Sequence, residues 1–242
     1  NDPKVAPQGY IAYTNHSFTG QFDQGFGYIR YNTAISIINE ALNRGKKITP
    51  QWIASKLSRS FQHSLLGIDL AQLLSESSAI TTATLSSSSG YFIDQDFIPR
   101  LSSTSTTISQ GVKPGEDPSL SVMWTILGYP PLGIAIPIMV NADLPHFMTK
   151  SKNNENAVIC DQVLEVKVRD IFNISRGNGK SYFNFRLLHD KYMKAIAPIE
   201  QNIFVQFNIL VNQWHAGTKS DFQKLKQLTN TTYNQYVQIL NS

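Results

Sequence analysis

The feature that most constrains this chain is a change of hydrophobic period along it. Early on, Tyr31, Ala34, Ile35, Ile38 and Leu42 recur at three- and four-residue spacing, the period of one helix face. In the middle, Thr-rich and β-branched runs take over. After about residue 150 the helical period returns and continues to the C-terminus. Helical blocks on either side of a run of strands define an α+β fold, not an alternating βαβ one.

The local signals refine this pattern. A short strand is predicted over Tyr10–Thr14 and a helix over Ile29–Arg44, stopped by Gly45. Thr49-Pro50 caps and opens a second helix running to Arg59, with Trp52, Ile53, Leu57 and Phe61 as its buried stripe. A Ser/Thr-rich stretch holds a predicted strand over Ile80–Leu85, closed by a turn over Ser86–Gly90. Strands over Ser103–Val112 and Leu120–Leu127 flank the turn residues Lys113-Pro114-Gly115-Glu116-Asp117-Pro118 and read as a hairpin. A third strand over Ile134–Val140 contains Pro137, which belongs at an edge or a bulge. Two regions result: a mixed region over 1–148 and a mainly helical one over 149–242. In the second, Leu188, Tyr192, Ile196, Ile199, Ile203, Phe207, Leu210 and Trp214 form one stripe, with Pro198 predicted to start or kink a helix. Ser220 and Gln223 read as a capping box for a last helix striped by Phe222, Leu225, Leu228, Tyr236 and Leu240.

Composition excludes several classes. With 41% hydrophobic and 16% charged residues in 242, the chain is not intrinsically disordered. A net charge of +4 without a concentrated basic stripe argues against nucleic acid. Arg44-Gly45-Lys46-Lys47 is instead a helix end with its cations suitably placed. No run of apolar residues is long enough for a transmembrane helix. The single cysteine, Cys160, cannot form an internal disulfide, and its apolar neighbours Val158 and Ile159 predict an inert thiol. No two of the 5 histidines share a helix face at metal-binding spacing, and no phosphate loop is present. The chain begins at Asn1 and its first methionine is Met123, so it reads as a processed product or a piece of something longer.

One segment has a shape suited to chemistry. Thr14-Asn15-His16 closes a predicted strand, and Arg30-Tyr31 opens the helix that follows. A side-chain amide at a strand end can offer fixed donors to a developing oxyanion. The same asparagine also suits an ordinary turn. It lies in an Asn-His-Ser glycosylation sequon as well.

Asn15-His16, Arg30-Tyr31 and Met123-Trp124-Thr125-Ile126-Leu127-Gly128-Tyr129-Pro130, in this order and spacing, resemble the acyl-coenzyme A:6-aminopenicillanate acyltransferase-like family. That family belongs to the N-terminal-nucleophile (Ntn) hydrolases and is related to choloylglycine hydrolases and penicillin V acylases. The resemblance covers about residues 9–145. It implies part of an αββα sandwich and an amide hydrolase or acyltransferase acting on linear C–N amide or thioester bonds. It implies a cysteine nucleophile, made N-terminal by cleavage, whose α-amine is the general base. Asn15 would be the oxyanion donor, and Arg100 is the candidate for an arginine near the nucleophile.

No cysteine precedes Asn15 here. The nucleophile would come from a second chain or from an N-terminal half outside this sequence. Half a sandwich would leave an open strand edge or an uncovered face. The partner implied is a small amide or acyl substrate; no cofactor or metal is implied, and an exported bacterial protein is favoured over a cytoplasmic one. Two other classes fit the residues: a non-catalytic ligand-binding protein that keeps the pocket walls, and an assembly module carried by the helices after 149.

Overall fold

A computed structural model of the chain describes residues 10–11, 27–77, 90–151, 155–217 and 220–242. The predicted strand over Ile80–Leu85 lies outside these residues. Of the one predicted over Tyr10–Thr14, only Tyr10 and Ile11 are described, and neither is in a strand. The described residues form a mixed helical and antiparallel-sheet structure with a helical C-terminal region.

Helix α1 spans Tyr28–Asn43 and is entered from Gly27 in a left-handed conformation, φ 93°. It ends in a Schellman turn: the Lys46 N–H donates to Ala41 O and that of Gly45 to Leu42 O, both at 2.9 Å. The buried face is Thr33, Ile37 and Ala41, while Leu42 is exposed. This is about 100° round from the predicted stripe, one residue's rotation. The cause is polar. Helix α1 lies against the small hairpin β1 (Gln62–His63) and β2 (Ile68–Asp69), where Thr33 Oγ1 accepts from the Ser64 N–H at 3.0 Å. In return, Ser64 Oγ donates to Ile29 O.

The second helix opens as the sequence predicts, with Thr49 Oγ1 accepting from the Trp52 N–H. It is α-helical only over α2 (Pro50–Trp52) and widens into a π turn over Ile53–Leu57. Helix α3 (Leu70–Ser77) follows β2.

Strands β4 (Ser105–Gln110), β5 (Val122–Leu127) and β6 (Ile136–Met139) form an antiparallel sheet in sequence order, so Pro137 sits on an edge strand as expected. Their predicted boundaries shrink because Asp117 caps a short 3-10 turn, Pro118–Leu120, ahead of β5. Trp124 on β5 faces Ile108 and Pro137 across the sheet and is 1% exposed. On β4 the alternate residues Ser105, Thr107 and Ser109 are exposed. Among the described residues, the outer edge of β4 pairs with no strand.

The region after residue 149 is not purely helical. Strand β3 (Tyr91–Ile93) pairs with β8 (Lys180–Asn184), and β8 with β7 (Ile174–Gly177). This sheet therefore crosses the 148/149 division. The β7–β8 turn is Asn178-Gly179, both at positive φ, 52° and 69°, a conformation these residues favour in tight hairpins. Inside it, Phe183 and Phe185 pack on Phe61 with ring centroids 5.4 and 4.8 Å apart.

Helix α4 (Val158–Val166) continues into a π turn, Lys167–Ile171. After β8 come α5 (Phe185–Leu187) and a third π turn, Leu188–Met193, leading directly into α6 (Lys194–His215). Pro198 lies inside α6, in the second turn after the π turn that leads into it. Phe204 stacks on Trp124 at 3.9 Å and Phe207 meets it edge-on at 4.9 Å, so α6 covers one face of the β4–β6 sheet. Helix α7 (Phe222–Leu240) is capped by Asp221, which accepts from the Gln223 and Lys224 N–H groups, and not by Ser220. Its Tyr233 stacks on Phe147 at 4.0 Å. No helix among the described residues is long and apolar enough to cross a membrane.

Candidate functional site

Asn15 lies outside the described residues, so its surroundings do not enter the geometry. Arg100 is described. It follows Phe97-Ile98-Pro99 in the loop after β3 and is half-buried. Three hydrogen bonds shape that loop. Asp94 Oδ2 accepts from the Leu101 N–H at 2.5 Å, Ser103 Oγ from the Arg100 N–H at 3.0 Å, and Arg100 O from the Ser103 N–H at 2.9 Å. Asp96, in the same loop, has a left-handed backbone, φ 70°.

This loop meets the first turn of α1, where Arg30 is largely buried, its guanidinium 4.0 Å from the Asp96 carboxylate. Burial pushes the Arg30 pKa down, and the charge of Arg100 pushes it further, partly opposed by Asp96. The fold thus brings Arg30, beside Asp96, within the field of Arg100, seventy residues away. A guanidinium suits a planar carboxylate, which accepts from two of its N–H groups at once.

A second polar centre was not anticipated. Arg59, 8% exposed, is gripped on every side. Nη1 and Nη2 donate to the two Glu200 carboxylate oxygens at 2.5 and 2.6 Å, Nη2 also to Gly133 O at 2.9 Å, and Nε to Pro130 O at 2.8 Å. Glu200 Oε1 accepts as well from the Ala135 N–H at 2.8 Å. Burial disfavours the guanidinium charge, and the Glu200 carboxylate more than restores it, so the Arg59 pKa lies above its ordinary value. The pair ties the end of the first π turn to α6 and to the Pro130–Ala135 loop, which Tyr236 of α7 also holds through Leu132 O at 2.7 Å. A half-open cleft of about 400 Å³ lies beside it, lined in part by Lys56, His189 and Lys194. The sequence signal is Glu200 itself: it falls four residues after Ile196 and three before Ile203, a lone charge on an apolar stripe.

Cys160 sits on α4, half-buried, and burial pushes its thiol pKa up, with backbone groups of Gly128 and Ala157 partly opposing. That is the opposite of what activates a nucleophilic cysteine. Among the described residues, no three His, Cys, Asp or Glu side chains are grouped to hold a metal ion. Of the described histidines, His63 accepts from the Leu66 N–H through Nδ1, and His189 pairs with Asp190 at 2.9 Å.

Comparisons with family models, with curated proteins and with solved structures found no match to this chain.

Proposed function

We propose that this chain is the C-terminal portion of an Ntn-type amide hydrolase or acyltransferase acting on linear amide or thioester bonds. Its cysteine nucleophile is supplied from outside these 242 residues. The observation that carries the reading is the approach of Arg100 to Arg30, which itself stands 4.0 Å from Asp96. Two separately placed sequence signals meet at the end of α1 into which the Asn15 segment leads. The antiparallel β4–β6 sheet, helix-covered on one face and, among the described residues, unpaired along β4, supports it as one leaf of an αββα sandwich.

In this reading the substrate carbonyl lies between the incoming thiolate and the Asn15 amide. Thiolate attack puts negative charge on the carbonyl oxygen, and the amide N–H donors stabilise that charge more than the ground state. The nucleophile's own α-amine takes the thiol proton and passes it to the departing amine, leaving a thioester acyl-enzyme. Water or an acceptor amine then releases the acyl group. Arg30 and Arg100 hold a carboxylate on the substrate and fix its position.

The test is Asn15→Ala in the complete protein with a chromogenic linear amide. Turnover is expected to fall by roughly 10²–10³ with folding unaffected, the usual effect of removing one oxyanion donor. Turnover at the wild-type level would sink the reading. So would native material that, by intact mass and N-terminal sequencing, shows no cysteine-headed companion segment.

A further inference from the structure

Between α4 and the loop at 101–104 lies a cavity of about 170 Å³ whose lining includes Ser103, Gly128, Tyr129, Cys160, Leu164 and Lys167. Its walls are mostly apolar, but two polar groups at it are incompletely used. The first is Lys167, 6% exposed. Its ammonium donates to the backbone carbonyls of Leu101 and Ser103 and lies 5.0 Å over the Tyr129 ring. Among the described residues no carboxylate stands within ion-pair distance of it, and its third N–H has no acceptor. Asp94 is near enough for its charge to be felt but not within ion-pair distance, and its Oδ2 accepts from the Leu101 N–H. The second is Tyr129, 1% exposed, whose hydroxyl has no hydrogen-bond partner. A buried ammonium with no carboxylate in contact costs free energy that a bound acceptor would recover, whereas the Tyr129 hydroxyl is enclosed and out of a ligand's reach.

We propose that this cavity binds a short aliphatic carboxylate, its head on the Lys167 ammonium and its tail lying along Leu164 and Gly128. At about 30 Å³ per liquid-packed non-hydrogen atom, the space suits roughly six such atoms. Butyrate has this size. Gly128 is closed to any larger residue: a Cβ there would stand 2.6 Å from Val163 of α4, and its φ is +77°. The inference is independent of the hydrolase reading, because binding is read without turnover.

Cys160, the only cysteine, lines the cavity and serves as a built-in reporter. The rate of its modification by methyl methanethiosulfonate is measured on the intact protein at mildly alkaline pH, against rising butyrate. Saturable protection is expected, at least fivefold at saturation. The butyrate concentration giving half-protection should rise about tenfold or more in Lys167→Met and stay within about twofold in Tyr129→Phe. Circular dichroism shows that each variant is folded, and ligand-observed NMR of butyrate gives a second reading free of the thiol. No protection and no NMR contact at tens of millimolar butyrate would mean that the cavity holds water alone, and would overturn the proposal. Equal protection by butyramide or n-butanol, or protection undiminished in Lys167→Met, would reduce it to apolar filling and overturn it too.

Discussion

Arg59 and Lys167 are both cations taken almost wholly out of water, at 8% and 6% exposure, yet they are treated in opposite ways. Arg59 meets a carboxylate through two parallel bonds and two backbone carbonyls besides, and the carboxylate has a further donor of its own in Ala135. Lys167 meets carbonyl oxygens and the faces of Tyr129 and Phe172, and no carboxylate. The first arrangement is complete and fastens three elements together. The second leaves a charge with unspent capacity at the wall of a cavity. A buried cation is therefore not informative by burial alone; what matters is whether its partners exhaust its donors.

The sharpest way to break this contrast is to remove one member of the satisfied pair. Glu200→Ala should cost about 3–5 kcal/mol of folding stability, because it strands the Arg59 charge in the core. Arg59→Met with Glu200→Leu should recover most of that loss, since it removes both charges together. Urea unfolding of the three proteins decides it, and a Glu200→Ala loss under about 1 kcal/mol would show that water reaches the pair.

Next in size is Asp170, which links the π turn of α4 to Tyr192. The Arg169 guanidinium, 2.8 Å away, holds its carboxyl below the ordinary range, with the Tyr192 hydroxyl adding to the effect. Asp170→Ala deprives the fully buried Tyr192 of its acceptor and should cost about 1–2 kcal/mol at neutral pH. Because the folded carboxyl titrates lower than the unfolded one, its stabilisation is complete above about pH 4 and is lost as pH falls through the folded value. Stability curves of wild type and variant should therefore converge below about pH 4. Curves that stay parallel into acid would assign the loss to packing alone.

The smallest expected effect is the most telling for the comparison. Lys167→Met keeps the apolar stem and deletes a charge that has no counter-ion, so stability should change by less than about 1 kcal/mol, in either direction. A loss above about 2 kcal/mol would make Lys167 a fastening like Arg59.

Much of the scaffold was legible in the residues, for physical reasons that differ by region. The β4–β5 hairpin announces itself through Pro114-Gly115 and β-branched flanks, and the edge position of β6 through Pro137. The long C-terminal stripes read well because α6 and α7 bury an unbroken apolar face. The stripe of α1 misled because Thr33, a polar residue, is the one the β1–β2 hairpin needs, and a hydrophobic count cannot see a hydrogen bond. The β7–β8 hairpin was hidden inside a helical expectation, although Asn178-Gly179 is a strong two-residue turn. At the candidate site, Arg100 was found as a residue, but its meeting with Arg30 depends on a loop whose shape comes from Asp94 and Ser103. The Arg59–Glu200 link joins positions 141 residues apart, beyond any local pattern.

The three π turns carry a consequence for how this chain tolerates changes of length. Each is in effect an α-helix that has absorbed one extra residue, with N–H groups reaching five residues back, as Ser58 does to Ile53 and Phe172 to Lys167. Deleting a single residue from Lys167–Ile171 would restore regular winding and turn everything beyond it by about 100°. Val163 would stay seated against Gly128, while Phe172 would swing away from Tyr129, and Phe183 of the hairpin after it away from Phe61. These wide turns act as clutches: the segments on either side can be insulated from one another's insertions, at places where one residue decides which face looks inward.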